Sequence, residues 1–352
     1  MTKQKTNLPF ITKNIIEWYS QHGRDLPWRK TRDPYKIWLS EIILQQTRVQ
    51  QGLPYYEKFV EKFPHITDLA QATEEEVLRT WQGLGYYSRA RNLHACAKVI
   101  LEKYNGSFPS TYQELLKLPG IGPYTAAAIS SFAFKEKVPA IDGNVFRVLA
   151  RIFGVAEDIL SGKARKTFEN IARELIPDQF PDTYNQAMME FGARHCTPRN
   201  PSCAVCPVGP ECYARLNNCQ DQLPVKRSKV KVKNRFFTYL VIQHQGKYWM
   251  KQRKAGDIWQ GLYDFCLLEE KNNDEVLKTV LLPEVKLKNG KTFKHILTHQ
   301  KIYARFISVQ QADLQKSSRA QLLENGEFYG EDKIKDLPKP VLIDNYLNEV
   351  IF

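Results

Sequence analysis

The chain has 352 residues and a formal net charge of +13, with 51 Lys and Arg residues against 38 Asp and Glu residues. Hydrophobic residues make up 43% of it, which is enough for packed cores and excludes a disordered chain. No stretch approaches the roughly 18 consecutive apolar residues of a membrane span, and the N-terminus lacks the pattern of a secretory signal. We therefore expect an intracellular, cytoplasmic protein of about two domains in a reducing environment, without a membrane partner. The basic excess favours a polyanionic partner such as nucleic acid.

Helical periodicity broken by Gly and Pro runs through the first part of the chain, and it predicts an all-α domain over residues 1–220. The predicted helices cover residues 11–21, 35–50, 55–63, 74–81, 88–104, 112–118, 125–134, 145–153, 165–175 and 183–194.

The pattern changes after a basic segment, residues 221–234, which holds five basic side chains and one acidic one. This segment is predicted to be a linker, either a solvated charge run or a contact for a polyanion. Beyond it, residues 235–352 are predicted to form an α+β domain around one sheet. Its signals are a β-hairpin around Gly246, an alternating strand over 301–309 and a short helix over 274–282.

Two acidic residues stand in unusual places. Glu41 is the only charge in the apolar stretch 37–44, so a buried carboxyl there would have a raised pKa and could act as a general acid. The alternative is a carboxyl that reaches the surface. Asp142 precedes a predicted helix, where it is either an ordinary N-cap or a second functional acid. One protonated and one ionised acid together suit the cleavage of an acetal-like C–N bond through an oxocarbenium-like state.

The segment Leu118-Pro119-Gly120-Ile121-Gly122-Pro123-Tyr124 lies between two predicted helices. Gly120 and Gly122 allow a tight turn, and the free N–H groups at the start of the next helix can bind a phosphate oxygen. This pattern favours a helix–hairpin–helix DNA clamp, although an ordinary corner between two helices has the same glycines.

Four cysteines fall within 17 residues: Cys196, Cys203, Cys206 and Cys212. Disulfides are disfavoured in a reducing compartment. Zinc usually takes two close pairs separated by a longer finger, whereas this single short loop with several prolines suits an iron–sulfur cluster. The spacing therefore favours a cluster over zinc and leaves zinc open.

Taken in order, these motifs resemble the endonuclease III superfamily of DNA glycosylases. The sequence has LSEIILQQT around Glu41, GLGYY at 83–87, LPGIGPYT, IDGNVFRV around Asp142 and the four-cysteine loop. Within that superfamily, the chain resembles the MutY-type adenine glycosylases. The resemblance covers nearly the whole chain, strongly to residue 216 and more loosely beyond 235. The position at which lyase members carry a catalytic lysine is Tyr124, so Schiff-base chemistry is not expected.

The resemblance implies a monofunctional enzyme of base excision repair that flips out an adenine opposite 8-oxoguanine or guanine and hydrolyses its glycosidic bond, leaving an abasic site. It implies that double-stranded DNA is the partner, that the enzyme is a monomer and is nucleoid-associated if bacterial, and that the four cysteines hold one 4Fe–4S cluster. The implied catalytic residues are Glu41, Asp142, Asn144 and Tyr124. The implied DNA-binding residues are Trp28, Arg29, Gln46, Thr47, Leu84, Tyr86, Gly120 and Gly122.

The tail has WQGLYDF at 259–265, which is similar to the Nudix-like C-terminal domain of this family. It lacks the carboxylates of a Nudix hydrolase, since Leu267 stands where an acid is needed, and so no Mg²⁺ site can be assembled. The resemblance implies a domain that recognises 8-oxoguanine, with Thr298 and His299 in the contacting loop. His299 could equally be a histidine at a strand edge.

Two other functions stay open from the sequence. One is an endonuclease III-like glycosylase/lyase for oxidised pyrimidines, against which Tyr124 and the long second domain argue. The other is a non-catalytic iron–sulfur protein that binds DNA or senses redox state, against which the presence of both Glu41 and Asp142 argues.

Overall fold

The computed structural model describes residues 7–226, 232–269, 273–285 and 290–352. The chain divides into two compact units, one of Met1–Ala70 with Ala95–Ser228 and the other of Gln71–His94 with Lys229–Phe352. Residues 71–94 thus group with the second unit, whereas the sequence pattern assigned them to the domain 1–220. In the predicted linker, residues 227–231 lie outside the described part.

Up to residue 226 the described chain is helical, as predicted. The α-helices are α1 (Leu8–His22), α2 (Pro34–Leu44), α3 (Val49–Lys62), α4 (Ile66–Gln71), α5 (Glu74–Trp81), α6 (Ser88–Tyr104), α7 (Tyr112–Leu115), α8 (Pro123–Phe134), α9 (Gly143–Phe153), α10 (Gly162–Leu175), α11 (Pro181–Arg194) and α12 (Tyr213–Leu216). Side-chain caps begin several of them: Asp33 accepts from Tyr35 N, Asp142 from Val145 N and Ser161 from Ala164 N.

The predicted helix over residues 35–50 is wrong beyond Leu44. Helix α2 ends there and α3 begins at Val49. Between them, Gln46 has a φ of 56°, and a left-handed residue cannot continue a right-handed helix. The apolar periodicity does not register this break, because the interruption depends on backbone conformation and not on polarity.

The core of the first unit packs α1, α9, α10 and α11 around buried side chains such as Ile11, Val148, Phe168 and Phe191. A smaller cluster joins α2 and α8 through Ile37, Ala127 and Ala128. Small residues in α8 allow this close packing. The core thereby fixes α2, α8, α9 and α11 relative to one another, and these four helices carry the polar residues described below.

The second unit is built on a mixed sheet in the order β3-β2-β1-β6-β5, with β4 paired to β1 and β7 paired to β2. The strands are β1 (Lys233–His244), β2 (Lys247–Gln252), β3 (Tyr263–Asp264), β4 (Cys266–Leu268), β5 (Lys291–Ile296), β6 (Gln300–Gln310) and β7 (Glu327–Tyr329). Strands β1 and β6 run parallel in register from Lys233–Gln300 to Gln243–Gln310, and the other pairs are antiparallel. The α+β prediction for this half is confirmed.

Local predictions in this unit are also confirmed. Gln245 and Gly246 both have positive φ and connect β1 to β2, as a two-residue hairpin turn requires. The remaining helices are α13 (Asn273–Val280), α14 (Lys316–Leu322), α15 (Glu331–Asp336) and α16 (Val341–Val350). In the described ranges no helix combines the length and apolarity that crossing a membrane requires.

Candidate active site

A cleft of about 1010 Å³ in the first unit collects the functional residues that the sequence suggested for this half of the chain. The predicted residues that line it are Trp28, Arg29, Glu41, Gln46, Thr47, Gly120, Gly122, Tyr124, Asp142 and Asn144. They come from α2, α8, α9 and the turns that precede α2, α3 and α8. Residues that are up to 116 positions apart in sequence therefore share one cavity.

Glu41 is the central buried acid of this cleft, with 6% of its surface exposed. The Tyr124 hydroxyl donates a hydrogen bond of 2.5 Å to its Oε2 atom. Burial raises the pKa of Glu41 to about 7; the Tyr124 hydrogen bond lowers it, the charge of Asp142 raises it and the charge of Arg29 lowers it. The carboxyl of Glu41 is therefore largely protonated just below neutral pH.

Asp142 is both an N-cap and a residue of the cleft. Its Oδ1 accepts from Val145 N at 2.8 Å, and its Oδ2 accepts from Asn144 Nδ2 at 2.7 Å. Burial raises the pKa of Asp142, while these hydrogen bonds and the charge of Arg147 oppose that rise. The two interpretations of Asp142 are therefore compatible, because capping uses one oxygen and orients the carboxylate inside the cleft.

Three charged residues, Arg24, Arg29 and Glu190, line the same cleft. The buried Glu190 carboxylate accepts from Arg24 Nε and Nη2, each at 2.7 Å, and from Arg29 Nη2 at 2.8 Å. Burial alone would raise the pKa of Glu190, but its two arginine partners lower it to about 2. Arg29 was predicted to be in the site, whereas Arg24 and Glu190 were not. No local signal marks Glu190, because its partners lie about 160 residues away in sequence.

Asn144 also connects the cleft to the cysteine loop. Arg147, which is 8% exposed, donates to Asn144 Oδ1 at 2.9 Å and to the carbonyl oxygens of Gly192 and Cys196, each at 2.8 Å. A Cβ on Gly192 would lie 2.7 Å from the Asn144 Cβ, so only glycine permits this approach of α11 to α9. Arg147 was not among the predicted residues, although it lies in α9, five residues after the N-cap Asp142.

The predicted clamp turn ends at the first turn of α8. Gly120 has a φ of 76°, which favours glycine, and Gly122 is the N-cap of α8. Both glycines are exposed, and a Cβ on Gly122 would meet no atom within 4 Å. The turn therefore presents an open backbone surface at the mouth of the cleft, as an anion-binding turn requires.

In the second unit, the loop between α5 and α6 presents Tyr86. This side chain is 42% exposed, whereas neighbouring Leu84 is only 7% exposed. Tyr86 has a φ of 49°, and Gly83 and Gly85 also have positive φ. A left-handed non-glycine residue costs on the order of 1 kcal/mol, so its surroundings must hold this conformation.

Thr298 lies beside Tyr86. The two hydroxyl groups are hydrogen-bonded, and both side chains are exposed. Thr298 and His299 belong to the turn between β5 and β6, and the His299 carbonyl accepts from Lys233 N at 2.9 Å. The structure therefore places Thr298, which the resemblance assigned to the lesion-contacting loop, beside Tyr86, which it assigned to DNA binding.

The four cysteines of the loop 196–212 line one small cavity, backed by Ile152, Phe191 and Val208. Burial raises the pKa of Cys206 to about 12, so its thiolate would need a nearby cation. Within the described ranges, no three His, Cys, Asp or Glu side chains are grouped so that they could hold a metal ion. Cys96 and Cys266 are buried core residues outside this loop.

Arg151 supports the same loop from α9 and is 2% exposed. It donates to the carbonyl oxygens of Thr197 at 2.7 Å and Gln220 at 2.9 Å, and its Nη1 lies 3.4 Å from the Cys196 Sγ. The i,i+4 spacing of Arg147 and Arg151 on one face of α9 is the sequence signal that could have indicated their contacts with the cysteine loop.

Comparison with known proteins agrees with this geometry. A model of the HhH-GPD superfamily of base excision DNA repair proteins matches residues 39–176, and a NUDIX domain model matches residues 238–349. An adenine DNA glycosylase of Buchnera aphidicola subsp. Acyrthosiphon pisum (strain APS) is 36% identical over 294 residues, which is 83% of each chain. An adenine DNA glycosylase of Homo sapiens is 42% identical over 219 residues, which is 60% of this chain and 40% of the human protein.

Two solved structures share the fold of the helical part. A thermostable thymine-DNA glycosylase aligns with a TM-score of 0.55 and 30% identity over 60% of this chain and 97% of its own. Endonuclease III in a non-covalent complex with DNA aligns with a TM-score of 0.53 and 24% identity over 62% of this chain and 98% of its own, a likeness that concerns the fold alone. With the cleft, the two-part fold and these relatives established, the chain belongs to the adenine DNA glycosylases, the hydrolases of N-glycosyl bonds in base excision repair.

Proposed function

We propose that this enzyme hydrolyses the bond between adenine and deoxyribose in duplex DNA when the adenine lies opposite 8-oxoguanine or guanine, and that it leaves an abasic site. The observation that carries this proposal is the pairing of Glu41, whose pKa is raised to about 7, with Asp142 in one cleft. One acid can give a proton to the base, and the other can stabilise the sugar cation.

Adenine inside a duplex is out of reach, so the nucleotide must first leave the stack, which costs a few kcal/mol. The cleft, at about 1010 Å³, has room for a base. Trp28 and Arg29 would line the base, and Gln46 and Thr47 would contact the strand opposite. Tyr86 and Leu84 would occupy the gap at the lesion. We call this role, filling the gap that the flipped base leaves, the wedge role. The exposure of Tyr86 supports it for Tyr86, whereas Leu84 is buried.

Proton transfer follows from the Glu41–Tyr124 pair. Protonated Glu41 gives its proton to N7 of adenine, and the C1′–N9 bond breaks with its electron pair passing to the base. The sugar becomes positive, and the ionised Asp142, held by Asn144, stabilises it. Water then adds to C1′ and loses its proton to the carboxylate that Glu41 has become. Tyr124 keeps the Glu41 carboxyl oriented throughout.

The chemistry stops at the abasic site. By resemblance, Tyr124 occupies the position of the lysine in lyase members of the superfamily, and its hydroxyl donates a hydrogen bond to Glu41. No amine is present at that position to form a Schiff base with the sugar. We therefore propose a monofunctional enzyme. We also propose that it acts as a monomer, on nucleoid DNA if it is bacterial.

The second unit would recognise the lesion. Thr298 and His299 are exposed on the turn that reaches Tyr86, and both side chains can hydrogen-bond to a base edge. Contacts of this kind distinguish one base from another, whereas phosphate contacts do not. The exposed turn containing Gly120 and Gly122 would hold the DNA backbone.

We further propose that Cys196, Cys203, Cys206 and Cys212 hold one 4Fe–4S cluster. All four line the same cavity, and a buried arginine approaches one of the sulfurs. A single ion needs its donors at about 2.3 Å from a common centre, whereas a cluster spreads its thiolates over several irons. Four thiols on one cavity are the donor set that a 4Fe–4S cluster takes, and the cluster would brace this loop without taking part in the hydrolysis.

The proposal is tested with three duplexes of the same sequence, carrying A opposite 8-oxoguanine, A opposite G, or thymine glycol. We expect strand breaks in the adenine strand only after alkali, and none at thymine glycol. Breaks without alkali would contradict the monofunctional assignment. Cleavage of the thymine glycol duplex alone would contradict the substrate.

A further inference from the structure

The loop that carries Tyr86 needs support, because Tyr86 is a non-glycine residue with a φ of 49°. Part of the support comes from its own flanks. Trp81 Nε1 donates to the Gly85 carbonyl at 3.0 Å, and the Arg89 guanidinium lies over the rings of both Trp81 and Tyr86. These contacts, together with the hydrogen bond from Gln82 N to the Arg79 carbonyl, hold the loop from its own flanks.

The other support comes from the C-terminal part of the second unit. The Lys339 N–H donates to Gln82 Oε1 at 3.2 Å, and Arg79 Nη1 donates to the same oxygen at 3.0 Å. At the other end of the loop, the Tyr87 hydroxyl donates to the Lys339 carbonyl at 3.5 Å and accepts from Gly83 N at 3.3 Å. One residue of the tail thus contacts both ends of the loop through its backbone.

Lys339 lies in a stiff, buried segment, Leu337–Pro340, between α15 and α16. The prolines on either side of it fix their own φ and restrict the residue before each to extended conformations. Its ammonium is buried as well: Nζ donates to the carbonyl oxygens of Leu337 at 2.9 Å and Lys335 at 3.3 Å, and lies 3.7 Å from Asp344. Burial lowers the pKa of Lys339 to about 8. Burying the charged ammonium of Lys339 costs free energy. Its hydrogen bonds, which anchor the segment to the end of α15, explain why the charge is kept.

We propose that Lys339 is a positioning residue for adenine excision: its side chain fixes the segment Leu337–Pro340, whose backbone holds Gln82 and Tyr87 and so presents Tyr86 to the DNA. The proposal rests on the wedge role proposed above for Tyr86. It extends the role of the C-terminal half, which then recognises the lesion and also holds the residue that opens the duplex beside it.

Lys339→Met tests the proposal, since methionine keeps most of the volume and removes the ammonium. Lys333→Met is the matched control, because Lys333 is an exposed lysine on α15, the helix that precedes the segment Leu337–Pro340. We expect Lys339→Met to slow single-turnover excision of adenine opposite 8-oxoguanine by about tenfold, within the hundredfold that a misplacement of about 1 Å can cost. Excision of an adenine opposite an abasic site should change by less than about twofold, because that base is already unpaired and is cheap to flip.

Hydrogen exchange gives a readout independent of activity. In Lys339→Met, the amides of residues 82–87 should exchange faster than in the wild type and in Lys333→Met, while the strands of the sheet keep their protection. If the variant loses protection across the whole unit, Gln82→Leu replaces it. This change removes the acceptor for both Lys339 N and Arg79 Nη1, and it leaves the side-chain contacts of Lys339 in place.

A double-mutant cycle with Tyr86→Ala separates this proposal from the proposed function. If Lys339 acts through Tyr86, Lys339→Met should add no further loss in the Tyr86→Ala background. If Tyr86→Ala slows excision but Lys339→Met has no effect, adds fully to it, or slows both substrates equally, the positioning role is overturned and the proposed function stands. An unchanged rate in Tyr86→Ala would overturn both the wedge role and the positioning role.

Discussion

Replacing Glu41 with Gln should abolish most of the activity and at the same time remove the loss of stability that the wild type shows as the pH rises past neutral. Glutamine keeps the size of the side chain and can still accept the hydrogen bond from Tyr124, but it has no proton to give. General acid catalysis is typically worth about 10²- to 10⁴-fold, so excision of adenine should fall by that factor while binding to the mispaired duplex survives.

The stability effect follows from the raised pKa of Glu41. Burial moves this pKa from 4.5 to about 7, so the folded state favours the protonated form. The stability that this form contributes is fully present below about pH 4.5 and is lost as the pH rises toward 7. The whole difference corresponds to about 3 kcal/mol, of which about 2 kcal/mol is lost between pH 5.5 and pH 8. Glu41→Gln should not show this loss.

The first assay is urea unfolding of the full chain, wild type and Glu41→Gln, at about pH 5.5 and about pH 8. The second is single-turnover excision by the same preparations. The free energy of unfolding of the variant, relative to wild type, should rise by about 2 kcal/mol between the two pH values. An equal pH dependence in both proteins would refute the raised pKa. An excision rate within about threefold of the wild type would refute the acid role.

Other outcomes follow from the same contacts. Tyr124→Phe removes a hydrogen bond that lowers the pKa of Glu41, so the alkaline limb of the excision rate should move to higher pH; a limb that moves down contradicts the assignment. Purified protein should carry about four irons per chain, and Cys203→Ser should lose iron and DNA affinity together; one zinc in place of iron refutes the cluster. Thr298→Ala should reduce the preference for A:8-oxoguanine over A:G by up to about tenfold, measured as the ratio of the two rates.

The last of these experiments uses a point variant because truncation would not isolate lesion recognition. The segment Gln71–His94 belongs to the same unit as Lys229–Phe352. Removing the C-terminal half would therefore remove the Thr298 contact and the Lys339 support of Tyr86 at once. Single substitutions in the full chain separate the two effects.

The sequence alone predicted the helical first half, the α+β second half and ten of the residues that line the cleft. Glu41 could be identified as a candidate because a lone charge in an apolar helix is a local signal, which does not depend on where its partners lie in the sequence. Asp142 and the glycines of the turn could be identified because caps and tight turns are local chemistry, decided by a few neighbouring residues. Four closely spaced cysteines are likewise a local signal.

The tertiary structure decided whatever depends on residues that are far apart in the chain. Helix α2 ends at Leu44 and not at residue 50, because Gln46 takes a left-handed conformation that apolar periodicity does not encode. Glu190 acquires its low pKa from Arg24 and Arg29, about 160 positions away. Residues 71–94 join the second unit through contacts such as Gln82 with Lys339, which are 257 positions apart. A hydrogen bond or ion pair acts over a few ångströms, so pairs this distant in sequence become visible only once folding has brought them together.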